Sequence, residues 1–334
     1  MIKSSEKINL LLRNGYSEEV VVFPIVGYHA AYVYNIPFSI YVRDAKRMAE
    51  TQYKVLKYYG SDFIAPVMDL TVEAEALGVS VSWNSIPPSI HSHLTVNDMH
   101  IIDRLASNFL SLGRIPVFLE SIKTLREIDR DDKIICGYVT GPLTLAGNVF
   151  GYENTLKLVL KDPRKLSEII DLLQRLSIPY LRALVENGAD CIIVADPLSA
   201  LISPQHYTTF SLKPLKTIVD EVERLNRIAV LHTCGNATRI LRLMAETGAH
   251  ILSIDKYVDI GFALTSTNRV IMGNVPTTLF LMSAEKVSEY TLSILNISMG
   301  RRHIIASGCE IPPYSNPECI KAMVSSAKSF SIRS

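Results

Sequence analysis

Eight short and almost wholly apolar runs recur along this chain, at 20–26, 63–68, 134–139, 191–195, 228–232, 251–254, 270–272 and 303–306, with longer amphipathic stretches between them. Runs this short and this rich in Val and Ile suit strands buried on both faces. Their alternation with helices is the sequence form of repeated βα units around a parallel sheet. Eight units match a closed (β/α)8 barrel, and 334 residues suffice for one such barrel with insertions. The expectation is a single α/β domain over residues 1–334, a (β/α)8 barrel with an N-terminal extension and an inserted capping segment.

The stretches 166–187, 204–226 and 237–247 place apolar residues three and four apart with charges opposite, and so read as outer helices. Asn187-Gly188 and Thr247-Gly248 offer glycines that can close a helix in the left-handed conformation. Segment 79–117 breaks the pattern with Trp83, Pro87, Pro88 and His91, His93 and His100, and is read as the cap. A polar, loop-like setting makes those three histidines solvated side chains before it makes them ligands.

Charge and cysteine content narrow the function. Thirty-four Lys and Arg against 33 Asp and Glu, scattered rather than grouped, give no basic stripe for a phosphate backbone. No run reaches the roughly 20 apolar residues of a membrane span. The first residues lack the continuous apolar core of a secretion signal. Five dispersed cysteines do not match a secreted disulfide framework, so the expected setting is the reducing cytoplasm. Cys136 and Cys191 fall in strand-like runs and Cys319 in a helix-like one, where a thiol is ordinarily buried and inert.

Catalysis in such barrels occurs where strands end at their C-terminal side. Those ends supply Asp69, Gly141-Pro142, Asp196-Pro197, His232-Thr-Cys234, Asp255, Asn274 and Cys309-Glu310. Residues two apart on a strand point the same way, so His232 and Cys234 can share one ligand. Cys309 ends the last strand and can reach the same point across the mouth. Two thiolates and an imidazole suit tetrahedral Zn²⁺ and leave a fourth position for substrate. A thiol bound there would be deprotonated at neutral pH and become a nucleophile. Asp69 and Asp196 are read as catalytic or positioning carboxylates, with helix capping the competing role. Tyr28, Tyr34, Asn236, Asn274 and Glu310 are the candidate substrate contacts, and Glu310 could instead support Cys309 or start a helix.

Taken in order, Asp69-Leu-Thr-Val-Glu-Ala-Glu-Ala-Leu-Gly78, Thr140-Gly-Pro-Leu-Thr-Leu-Ala146, Ala195-Asp-Pro197, His232-Thr-Cys-Gly-Asn236, Gly273-Asn-Val275 and Ser307-Gly-Cys309 give the chain a resemblance that covers most of its length. It resembles the uroporphyrinogen decarboxylase superfamily, and within it the methylcobamide:coenzyme M methyltransferase branch. The resemblance implies that His232, Cys234 and Cys309 bind the zinc that activates coenzyme M, with Asp255 the carboxylate available as a further ligand. It also implies a methyl donor, a methylated corrinoid such as methylcobalamin on a separate corrinoid protein, within the chemistry of methanogenesis. The chain has no Asp-x-His-x-x-Gly signature of its own for a corrinoid.

Three alternatives remain open from sequence: a uroporphyrinogen decarboxylase-like lyase, in which Asp69 would be the catalytic aspartate; a homocysteine S-methyltransferase; and a non-enzymatic subunit delivering metal or corrinoid. Against the first, segment 23–34 replaces the expected arginines with an apolar and aromatic stretch. Tetrapyrrole carboxylates would be left there without cationic partners.

Overall fold

A computed structural model describes residues 2–83 and 85–332. Eight parallel strands form the sheet: β1 (Val22–Phe23), β2 (Phe63–Ile64), β3 (Ile134–Thr140), β4 (Cys191–Ala195), β5 (Ile228–Thr233), β6 (Ile251–Ile254), β7 (Val270–Val275) and β8 (His303–Ser307). Each of the eight apolar runs supplies one of them. Their spatial order is β1-β8-β7-β6-β5-β4-β3-β2. Asp62 closes the ring: its N–H donates to Val22 O at 3.0 Å, and its carboxylate accepts from Val22 N–H at 2.9 Å. The result is a nearly closed (β/α)8 barrel, as the alternating pattern predicts.

The barrel interior is filled by Phe23, Phe63, Cys136, Tyr138, Cys191 and Met272 among others, all buried. Cys136 and Cys191 face each other in register on β3 and β4 and are core residues, as is Cys319 in the helix Pro317–Ser329. The N-terminal extension is the helix Ser4–Asn14, whose Ile8 and Leu11 join the same interior cluster. Its Lys7 pairs with Asp62 at 3.3 Å.

Three expected helices differ in extent. The helix expected over 166–187 runs Pro163–Glu186, because Asp162 accepts from Lys165 N–H and Pro163 occupies the first helical position. The 204–226 stretch divides into Pro204–Tyr207, one wide π-helical turn Thr208–Leu212, and Lys213–Arg224. Pro214 has no N–H for the regular ladder, and the chain widens just before it. Only Leu241–Glu246 of the 237–247 stretch is helical, since Gly235 to Ile240 are spent on the turns that leave β5. Gly188 and Gly248 both follow helices with positive φ, at 110° and 93°.

The inserted segment begins with an antiparallel hairpin, Ser80–Ser82 against Ser89–Ser92, and continues into the helix Met99–Ala106. Leu94 N–H donates to Val149 O at 2.9 Å, and His93 Nδ1 to Asn148 O at 3.1 Å, fastening the segment over the helix Pro142–Phe150. The guanidinium groups of Arg43 (4.1 Å) and Arg114 (4.7 Å) both pack on the Trp83 ring.

Candidate metal centre and thiol pocket

β5 carries His232 near its end and Cys234 just beyond it, and Cys309 lies two residues past β8. Strand alternation puts the first two on one side, and barrel curvature brings the third to them. Their ligand atoms all lie within 4.8 Å of one another. His232 Nδ1 is 2.9 Å from Ser253 Oγ on the neighbouring β6, which fixes the ring. Its Nε2 is buried with no partner in the chain. A buried ring nitrogen without a partner is costly, and a ligand outside the chain's own groups would complete it. Two sulfurs and one imidazole held this way fit zinc.

The thiols are poised unequally. A hydrogen bond from Cys309 and the nearby His232 ring favour the thiolate at Cys234, pulling its pKa down to about 6. The same hydrogen bond, with burial, pushes Cys309 up. As a thiol, Cys234 donates to Asp255 Oδ2 at 3.4 Å.

Asp255 stands beside the cluster rather than in it. Its oxygens accept from Gly235 N–H (3.0 Å) and Lys256 N–H (2.6 Å), so the carboxylate shapes the turn that presents Cys234. Asn274 is buried one layer away, its amide donating to Asp255 O and Val258 O. Asn236 is exposed and caps its own turn through Thr238 N–H. Tyr34 is 46% exposed on the surface. Asp196 is buried under Thr144, whose N–H and hydroxyl both donate to its Oδ1, and Ser199 donates to Oδ2. It thus ties the first turn of the helix Pro142–Phe150 to the end of β4, and it does not cap the turn Pro197–Leu201 that follows its own strand, the role expected to compete with catalysis. Contrary to the expectation from sequence, none of Tyr28, Tyr34, Asp196, Asn236, Asp255 and Asn274 lines the cavity.

That cavity, about 770 Å³, is lined by His232, Cys234 and Cys309 together with Asp69 and Glu310. Ile86, Ile90 and Ile311 are among its apolar walls, the first two contributed by the inserted hairpin. Asp69 is fully engaged: Oδ1 accepts from Thr71 N–H (2.9 Å) and hydroxyl (2.6 Å), and Oδ2 from Tyr28 hydroxyl (3.1 Å) and Arg114 Nη1 (2.5 Å). Four bonds take up a carboxylate's acceptor positions, leaving it a hub more than a reactant. Arg114 is buried with Glu75 as its second carboxylate partner at 2.5 Å. Sequence reasoning missed it because it comes from the insertion, 45 residues from Asp69.

Glu310 accepts from Tyr28 N–H at 3.0 Å through Oε1, while Oε2 is buried without a partner. Burial raises its pKa to about 8. Gly27 makes room for it. A Cβ at that position, where φ is +42°, would lie 1.9 Å from the Glu310 carboxyl carbon. Ser253 was also missed, although one polar residue in the run Ile-Leu-Ser-Ile, two before Asp255, marks the same inward face.

Fold and site together define a parallel barrel with an imidazole–dithiol cluster of metal-ligand type at its mouth. The chain belongs to the uroporphyrinogen decarboxylase (URO-D) family, whose sequence model matches residues 20–330. It is 30% identical over 294 residues to the methylcobamide:CoM methyltransferase MtbA of Methanosarcina acetivorans, covering 86% of this chain and 85% of that protein. It is 30% identical over 272 residues to the methylcobamide:CoM methyltransferase MtaA of Methanosarcina barkeri, covering 78% of each. A solved methyltransferase from Methanosarcina mazei superposes with a TM-score of 0.89 at 26% identity, over 99% of both chains.

Proposed function

We propose that this chain, as a single barrel domain, is a corrinoid-dependent thiol methyltransferase. It moves a methyl group from the cobalt of a methylated corrinoid, carried by a separate protein, to the sulfur of coenzyme M. The thiol gives up its proton, the carbon–cobalt bond breaks with its electron pair left on the corrinoid, which is thereby reduced, and a carbon–sulfur bond forms. The observation that carries the reading is the buried, partnerless Nε2 of His232 beside two thiols at the edge of a cavity.

His232, Cys234 and Cys309 would hold zinc. Zinc, when bound, supplies the Lewis acidity that lets an incoming thiol lose its proton near neutral pH. Ser253 keeps His232 turned toward the cluster, and Asp255 holds the turn that carries Cys234. The isoleucines of the walls exclude water, which strengthens a nucleophile in the cavity. Asp69, held by Arg114 and Tyr28, is a fixed part of the same lining.

The partner corrinoid protein would meet the rim of the mouth. Exposed Tyr32 and Tyr314, which follow β1 and β8, pack edge to face at 5.1 Å, and exposed Leu281 follows the adjoining β7; exposed apolar side chains grouped this way mark contact surfaces. The relatives named above as methylcobamide:CoM methyltransferases support coenzyme M as acceptor. The lyase reading is weaker, because Asp69 has its acceptor positions filled. No described helix is long and apolar enough to cross a membrane, in keeping with work in the cytoplasm.

The test is zinc content of the purified protein beside His232→Ala, Cys234→Ala and Cys309→Ala, with demethylation of methylcobalamin by coenzyme M followed in each. About one zinc per chain, lost with activity in the variants, is the expected outcome. Full activity in metal-free protein would overturn it.

A further inference from the structure

We propose that His93 seats the anionic end of the acceptor thiol, and so sets a preference for an anionic thiol over a neutral one of the same length. This rests on the thiol-methyltransferase reading. The sulfur must lie at the cluster of His232, Cys234 and Cys309, so the far end of the acceptor has to find its partner elsewhere in the same cavity. An anion in a largely apolar cavity is costly without a cation or hydrogen-bond donors.

The cavity is sparing of cations. Among the described residues that line it there is no lysine or arginine. The nearby Arg114 gives its guanidinium to Asp69, Glu75 and Thr71. Asp69 and Glu310 line the cavity with the cluster and offer nothing to a second anion. His93, from the inserted segment, is the one lining imidazole besides His232.

His93 is an exposed residue whose ring is oriented by one hydrogen bond. Nδ1 lies 3.1 Å from the carbonyl oxygen of Asn148, and a carbonyl only accepts, so Nδ1 carries a hydrogen. The ring lies over Gly151, where even a Cβ would come within 3.4 Å of Cδ2. Nε2 is the nitrogen left for a ligand. When both ring nitrogens carry hydrogens an imidazole donates from each, and Nε2 would then meet an anion as a charge-assisted donor. Ser89 and Tyr152 add hydroxyls to the same lining.

The experiment uses zinc-loaded full-length protein and free methylcobalamin, comparing coenzyme M with 2-mercaptoethanol, which carries a hydroxyl where coenzyme M has its sulfonate. The readout is the ratio of kcat/KM for the two thiols. Two variants are compared with the wild type. His93→Ala removes the ring, while His93→Asn keeps an amide donor for Asn148 O but loses the nitrogen assigned to the anion. Wild type should prefer coenzyme M, and both variants should lower that ratio about tenfold, through KM, as expected for one lost charge-assisted contact. A ratio that survives in either variant overturns the inference; survival in His93→Asn alone makes the histidine only an anchor for the insertion. A wild type that methylates both thiols equally also overturns it and leaves the parent reading standing. Methylation of neither thiol removes the parent reading itself.

Discussion

The Ser253 hydroxyl, 2.9 Å from His232 Nδ1, fixes one ring nitrogen and thereby commits the other to the cluster. Ser253→Ala should weaken zinc binding by about 10- to 100-fold, the usual consequence of losing such an orienting contact, and competition with a zinc-binding dye would read it; an unchanged affinity would remove the orienting role. Glu73 gives a prediction in pH. It is buried, and its oxygens accept from Thr140 N–H (2.6 Å) and hydroxyl (2.9 Å), yet burial raises its pKa to about 7. A carboxyl whose folded pKa lies above its unfolded value contributes stability that is full below about pH 4 and lost as pH rises through about 7. Glu73→Gln cannot ionise, so its stability relative to wild type should improve by about 2–3 kcal/mol between pH 5 and pH 8. Urea denaturation at the two pH values checks this, and a constant difference would contradict it. Glu310 and Asp196, also raised by burial, are common to both proteins and cancel in the comparison. At this scale the sequence makes His232 and Cys234 legible, because alternation along a strand is a local rule. It does not reveal that Asp196 turns aside to Thr144, or that Arg114 arrives at Asp69, since both depend on contacts 52 and 45 residues apart.

At the scale of elements, the inserted hairpin is held by few contacts for a segment that walls the cavity. The packing of Arg43 and Arg114 on Trp83 is one of them, and a guanidinium over an indole face is worth about 0.5–2 kcal/mol. Trp83→Ala should therefore speed amide hydrogen exchange across 80–95 by about tenfold, leaving exchange in the barrel strands unchanged. Uniform acceleration through the chain would instead assign Trp83 to global stability. The eight strands are readable from sequence because a strand buried on both faces has no polar face to confuse the pattern. The hairpin is not, since Ser80–Ser82 and Ser89–Ser92 are polar, partly exposed and short. The break before Lys213–Arg224 escapes for another reason: Pro214 reads as a permissible start of a helix as readily as a cause of the wide turn ahead of it.

Over the whole molecule, the cluster joins parts of the barrel that the sheet keeps apart. Between β5, which carries His232, and β8, which precedes Cys309, stand β6 and β7. At the opposite end the helix Ser4–Asn14 covers the barrel floor with Ile8 and Leu11, while the mouth, walled in part by the inserted hairpin, keeps an open cavity. A metal held by both strands would act as a cross-brace absent from the unfolded chain. Binding to the folded state alone stabilises it by about 4 kcal/mol when free ligand exceeds its dissociation constant a thousandfold. Removing zinc with a chelator should then lower Tm by roughly 5–10 °C, and added zinc should restore it. Cys309→Ala detaches β8 from the brace, so its Tm should barely respond to either treatment, even if the variant is less stable from the start. A wild type whose Tm ignores the chelator while its zinc is demonstrably lost would show that β5 and β8 are held by the barrel alone, and that the cluster's geometry exists for chemistry without contributing to the fold.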